Sequence, residues 1–112
     1  MINSYNFGQM SVDGQIYSSD LIIFPDRIHS SWWRKSGHRL TLDDIKEILE
    51  EKPEVLVIGT GAYGLMRVDK EVKDYVRSQG IELIIEKTKK AVQKYNELAG
   101  KKKTIGAFHL TC

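Results

Sequence analysis

Apolar and polar residues alternate with two different periods along this chain, and the change of period divides it near residue 40. Before that point the pattern is short and strand-like. Tyr5, Phe7 and Gln9 alternate with Ser4, Asn6 and Gly8, and Asp13-Gly14 is the pair a two-residue hairpin favours, because both positions take φ > 0. Gln15-Ile16-Tyr17 reads as the return strand and Ser18-Ser19-Asp20 as a break. Leu21 to Phe24 is a short apolar run stopped by Pro25-Asp26. From Arg27 to Trp33 the alternation resumes, with Ile28, Ser30 and Trp32 on one side and His29, Ser31 and Trp33 on the other. Residues 1–40 are thus expected to form a β-meander of three or four short strands.

From residue 41 the period lengthens to that of helices separated by buried strands. Thr41 caps the first helix with Asp44 in capping-box position, and Leu42, Ile45, Ile48 and Leu49 form its buried stripe. Pro53 ends it. Val55-Leu56-Val57-Ile58 is aliphatic at four consecutive positions, the signature of a strand covered on both faces. Asp69 is the expected cap of a second helix, with Val72, Tyr75 and Val76 inward and Gly80 as its left-handed stop. Ile81 to Ile85 is the next buried strand and Glu86 marks its end. Thr88 opens a third helix whose Ala91, Val92, Tyr95, Leu98 and Ala99 share a face. Gly100 closes it, and Thr104 to Leu110 is the last strand. Strand-helix-strand-helix-strand predicts parallel neighbours joined by right-handed crossovers, so residues 41–112 are the α/β portion of a single domain spanning 1–112.

Composition narrows the function classes. The 112 residues are 41% hydrophobic and 29% charged, ordinary for a globular domain large enough to bury a core without disulfides or metals. The net charge of +2 is small and interleaved, which argues against nucleic-acid binding. Lys101-Lys102-Lys103 follows a helix, where cations complement the dipole, and reads as a solvated turn. Cys112 is the only cysteine, so no disulfide can form within the chain and a reducing setting fits. No basic, apolar leader opens the sequence and no apolar run approaches a membrane span. A cytoplasmic protein with no membrane partner is expected.

The sharpest chemical motif is Gly59-Thr60-Gly61-Ala62-Tyr63-Gly64, which has the spacing G-x-G-x-x-G of dinucleotide sites, with Glu86 about twenty residues on where a ribose-binding acid would stand. In that motif the helix begins inside the turn and aims its free N–H groups at phosphate. Here the helix cap falls at Asp69, and a carboxylate there would repel a phosphate. The glycines therefore read as architecture, and no cofactor is assigned. His29, His38 and His109 lack metal-ligand spacing, and no metal is assigned. A Cys112 nucleophile with His109 as base would need a bend, since residues three apart on a strand face opposite ways, so no catalytic residue is assigned. Trp32-Trp33-Arg34 differs in kind. Alternation sends the two indoles to opposite faces, and an exposed Trp beside Arg is a frequent interface anchor.

The sequence also resembles the adipogenesis-associated Mth-domain proteins, with a mitochondrial complex I assembly factor as a more distant relative. The likeness rests on Val57-Ile58-Gly59-Thr60-Gly61, on Thr88, Ala91, Tyr95 and Asn96, on Trp33-Arg34 with Gly37-His38, and on His109-Leu110-Thr111-Cys112. Family members often carry an arginine after the third helix, where this chain has Lys101 to Lys103. The resemblance implies a three-layer fold with a mixed central sheet, helices on one side, and a helix plus a small β-layer on the other. It brings no catalytic residues and suggests binding or scaffolding of a protein partner, or self-association. The alternative is a nucleotide or phosphometabolite binder, or a weak enzyme, using Gly59, Thr60, Gly61, Glu86 and Thr88 at the strand carboxyl ends.

Overall fold

A computed structural model describes residues 1–112. Strands β1 (Ile2–Asn6), β2 (Gln9–Val12) and β3 (Gln15–Tyr17) make an antiparallel sheet of their own. Its second turn is the expected Asp13-Gly14 pair, with φ of 47° and 84°. The first turns at Phe7-Gly8, which the alternation carries through as strand; Gly8 supplies the positive φ of 77°.

Strands β4 (Leu21–Ile23) and β5 (Ile28–Ser30) form the next hairpin but do not continue that meander. Leu21, Ile22 and Ile23 are apolar on both faces and all three are buried, so only a position inside a covered sheet suits them. They join the central sheet, which also contains β7 (Val55–Thr60), β9 (Glu82–Glu86) and β10 (Thr104–His109) in the order β5-β4-β10-β7-β9. Strands β10, β7 and β9 are parallel, and β4 runs antiparallel to β10. A parallel two-residue pair, β6 (Arg39–Leu40) with β8 (Arg67–Val68), closes one side.

The first helix is shorter than its pattern predicts. A 3-10 turn over Leu42–Ile45 leads into α1 (Lys46–Glu50). The Asp44 carboxylate accepts from both the Thr41 N–H (2.8 Å) and hydroxyl (2.9 Å), and the Asp44 N–H closes on the Thr41 carbonyl, which tightens this first turn. Helix α2 (Lys70–Ser78) starts after Asp69 and stops at Gly80, φ 76°. Its Val72 and Val76 are buried, but Tyr75 is 43% exposed rather than inward, because it lies at the border of a stripe those two valines fill. Strand β9 is only partly covered, being the edge of the sheet rather than a buried interior strand. Helix α3 (Thr88–Leu98) buries Ala91 and Tyr95, while Ala99 falls past its end and is exposed.

Alternation on β7 then sorts the core into two. Leu56 and Ile58 face α1 and α2, packing with Ile45, Ile48, Val72 and Val76. Val55 and Val57 face α3 and the small sheet, packing with Ile2, Met10, Val12 and Tyr95. Three layers result, with helices on one side and helix plus β-layer on the other. The amide of Asn96 on α3 holds the small sheet in place, accepting from the Ile2 N–H (3.0 Å) and donating to the Ile2 carbonyl (2.9 Å) as a neighbouring strand would.

Gly106 marks the tightest point of that second core. A Cβ there would stand 2.7 Å from Phe108 Cζ and 2.8 Å from Tyr95 Cδ1, and these buried rings already meet edge-on at 5.9 Å. Gly106→Ala is expected to destabilise the domain by about 1–3 kcal/mol through overpacking, read as a lower urea midpoint at unchanged slope. A loss below about 0.5 kcal/mol, the range of neutral surface changes, would contradict this packing.

Candidate functional site at the strand carboxyl ends

Strands β7, β9 and β10 end together: Thr60 lies beside His109, and Gly59 beside Glu86. The five residues read as a strand-end site, Gly59, Thr60, Gly61, Glu86 and Thr88, do converge here. What binds them is the chain itself. The buried Thr88 hydroxyl donates to the His109 carbonyl (2.6 Å) and accepts from the Gly61 N–H (2.9 Å). Thr60 donates its hydroxyl to the Glu86 carbonyl at 3.2 Å. The Glu86 carboxylate turns outward, 3.9 Å from Lys90 Nζ.

The glycines fit this closure. A Cβ on Gly59 would come within 2.8 Å of Thr88 Oγ1 and 2.9 Å of Phe108 Cδ1. Gly61, at φ 106°, packs against the backbone of Cys112 and the ring of His109. Beyond the turn, the Ala62 N–H donates to Thr111 O, Gly64 to Gly61 O, Leu65 to Cys112 O and Met66 to Thr60 O. Amides that would cradle a phosphate in a dinucleotide site are bonded to carbonyls of the chain itself, two of them to Thr111 and Cys112 and two to Thr60 and Gly61, and the next α-helix does not begin until Lys70.

Beside this closed turn lies a buried charge cluster that sequence reading does not assemble. Arg34 Nη1 stands 2.8 Å from Asp20 Oδ2, and His109 Nδ1 stands 2.7 Å from the same oxygen. Asp20 Oδ1 accepts the Leu110 N–H at 2.8 Å. Arg34 Nη2 donates to the Gly37 carbonyl at 3.1 Å, and its guanidinium covers the Trp32 ring at 4.8 Å. Nη2 also lies 3.2 Å from His109 Nδ1, but Nδ1 cannot donate to Asp20 and accept from Arg34 at once. The shorter contact, to a carboxylate, assigns the proton to Nδ1. Nε2 is buried and has no hydrogen-bond partner. The His38 ring stands edge-on at 6.4 Å, while His29 is elsewhere, bonded to Glu47.

Burial works against the Asp20 charge, but hydrogen bonds from His109, Leu110 and Arg34 outweigh it and hold its pKa below the ordinary value. Burial first, then the Asp20 charge, raises the Tyr5 phenol, which donates to Leu110 O at 2.7 Å. Of the three residues read as an interface, only Trp33 meets solvent, at 78% exposed; Trp32 is 5% exposed and the Arg34 side chain 4%. Trp32 is core, its Nε1–H donating to the Asp44 carbonyl, and Arg34 belongs to the buried cluster. Neither can anchor a partner. The sequence singles out Arg34 and His109 separately. Asp20 reads as a turn residue, and nothing local signals that it meets residues 14 and 89 positions away.

This geometry defines an α/β domain with a mixed five-stranded sheet, the ends of its parallel strands sealed by its own tail. The chain belongs to the family described as "Protein of unknown function (DUF498/DUF598)", which matches residues 2–110. It is similar to the conserved hypothetical protein PH1505 from Pyrococcus horikoshii OT3, with 31% identity and a TM-score of 0.85 over 100% of this chain and 99% of that one. MT938 is 26% identical, with a TM-score of 0.82 over 100% of this chain and 98% of that one. A Mth938-like domain protein from Bordetella pertussis shares the fold at 19% identity and a TM-score of 0.68, over 98% of this chain and 85% of that one. The resemblance to Mth-domain proteins thus holds. No helix of the chain is long and apolar enough to cross a membrane.

Removing the partly buried Asp20 carboxylate leaves the buried Arg34 guanidinium without its ion-pair partner. Asp20→Asn is expected to cost about 3–5 kcal/mol at neutral pH. Because the folded pKa of Asp20 lies below the unfolded one, the pair's contribution is fully present above the ordinary value of 3.8 and is lost as pH falls through the folded value. The stability gap between wild type and Asp20→Asn, from urea unfolding at a series of pH values, should therefore narrow below about pH 4. A gap independent of pH would refute the charge pairing.

Proposed function

We propose that this domain is a non-enzymatic docking module that binds a protein partner, or a second copy, through the loops at the carboxyl end of its parallel strands. The carrying observation is where its large apolar side chains are exposed. Of seven such residues, four sit on loops at this end: Phe7, Trp33, Tyr63 and Leu65, each more than half exposed. Phe7 and Tyr63 lie with ring centroids 6.1 Å apart. Their loops are anchored from beneath, Gly8 N–H to Leu110 O and Leu65 N–H to Cys112 O. Trp33 adjoins Arg34, whose guanidinium is fixed by Asp20 and Gly37. Aromatic residues on immobilised backbone lose little entropy on binding, which is why they serve as anchors.

A small-molecule reading keeps one observation in its favour. A shallow depression of ≈370 Å³ beside the turn is lined by Thr60, Gly64, Arg67 and Lys73. Arg67 and Lys73 form no ion pair, so the depression would take an anion such as a phosphometabolite.

Trp33→Ala combined with Tyr63→Ala should leave the melting temperature within a few degrees, since neither ring is core, and should weaken self-association or capture of a purified partner by about tenfold or more. Tyr75→Ala, on α2, is the control that should leave association unchanged. Equal association by all three proteins would remove the docking reading. Its rival makes a separate prediction: a ligand at a hundred times its Kd stabilises the fold by about 2.7 kcal/mol, so a phosphometabolite panel at millimolar concentration should raise the melting temperature. A flat panel would count against that rival alone.

A further inference from the structure

The central sheet has two edges, and they are treated differently. Strand β5 is three residues long, and polar contacts cross beside it: a hydrogen bond between His29 and Glu47 at 2.7 Å, and an ion pair between Arg27 and Glu51 at 3.4 Å. Strand β9 is five residues long and pairs only with β7. The Glu82 N–H donates inward to Glu54 O at 3.0 Å. In a parallel ladder successive residues turn their backbone groups to opposite sides, so Ile84 and Glu86 also face β7, and the N–H and C=O groups of Leu83 and Ile85 face outward. Outside them runs a groove of ≈680 Å³ whose walls include Lys73 and Arg77 of α2 and Lys94 of α3.

The groove is lined by three basic side chains, Lys73, Arg77 and Lys94, against two carboxylates, Glu82 and Glu86. Glu82 lies 3.4 Å from Lys102, and Glu86 lies 3.9 Å from Lys90. Lys94 is 4.0 Å from Glu97, and Lys73 and Arg77 have no carboxylate partner. We infer that β9 accepts an extended acidic segment of a partner protein as a sixth strand, its backbone bonded to Leu83 and Ile85 and its carboxylates, turned to the α2 face, reaching Lys73 and Arg77. Leu83 and Ile85 pack toward the α2 side of the core and Ile84 toward the α3 side, so a segment with its carboxylates on the α2 face would place its alternate aliphatic residues beside Ile84. A second copy is a poor occupant. Antiparallel pairing of β9 with itself about Ile84 would set Glu82 opposite the other copy's Glu86, like charge on like. This surface is separate from the Trp33 loops, so either proposal can fail without the other.

The probe is a capped eight-residue peptide alternating glutamate and valine, with a lysine–valine peptide as its counterpart, titrated by fluorescence anisotropy at low salt. The acidic peptide should bind, the basic one should not, and affinity should fall as salt screens the pairing. The double variant Lys73→Glu/Arg77→Glu, both at surface positions, should weaken binding by about tenfold or more, whereas Trp33→Ala should leave it unchanged. Hydrogen exchange should show new protection at the Leu83 and Ile85 amides in the complex. Equal binding of both peptides, undiminished binding by the double variant, absence of binding at millimolar peptide, or protection elsewhere would each overturn the inference. So would concentration-dependent dimerisation that protects the same two amides in the absence of peptide.

Discussion

One buried hydroxyl holds the carboxyl ends of the parallel strands together. Thr88 Oγ1 sits at the first turn of α3, where it bonds the Gly61 N–H and the His109 carbonyl. It thereby ties the ends of β7 and β10 to the helix that crosses between β9 and β10. Both partners are in an interior where an unmade hydrogen bond costs about 1–3 kcal/mol, so the hydroxyl does not contribute one bond's worth of stability alone. It also sets the geometry around it. Because Thr88 approaches so closely, Gly59 has no room for a side chain, and because the tail is drawn in over the turn, Gly61 packs on the Cys112 backbone. His109, the last residue of β10, faces Asp20 and Arg34 beside this closure.

The same constraint explains which parts of the chain were legible. Val55 to Ile58 announce a covered strand, and the stripes of α2 and α3 announce their buried faces, since these are local consequences of period and burial. Thr88, Ala91, Tyr95 and Asn96 carried the family resemblance, and each has a packing reason: the clamp, a buried contact, the edge-on ring against Phe108, and the amide that holds β1. What the sequence hid was tertiary. Asp20 and His109 are 89 positions apart, and a polar residue after two serines looks like a turn until the fold brings a histidine and an arginine to it. The sheet membership of Leu21 to Ile23 was hidden in part. Their apolar run says that both faces are covered but not which strand covers one edge, and the neighbour proves to be β10, from the far end of the chain.

Open parallel sheets bind ligands at the crevice beyond their carboxyl ends because unpaired amides and divergent loops meet there. In this domain the crevice is filled by Leu110 to Cys112, whose carbonyls absorb the amides of Gly8, Ala62 and Leu65. Sealing it has a consequence for the surface. Loop side chains that would line a pocket have no interior to enter, and Phe7, Tyr63 and Leu65 are left facing solvent. The exposed apolar side chains and the closed turn are one fact seen from two sides.

The charges along β9 follow from the opposite problem, an edge that nothing seals. Covering it would need another strand, and an uncovered row of backbone donors and acceptors invites uncontrolled pairing. Glu82 and Glu86 at the two ends of β9, together with the lysines beside them, make pairing with an identical strand unfavourable while leaving Leu83, Ile84 and Ile85 apolar between them. Lys73 and Arg77, free of carboxylate partners, add positive charge beside the same edge. Like charge at the two ends of β9 works against an identical strand, and the basic side chains of α2 stand beside an edge whose apolar middle is left open.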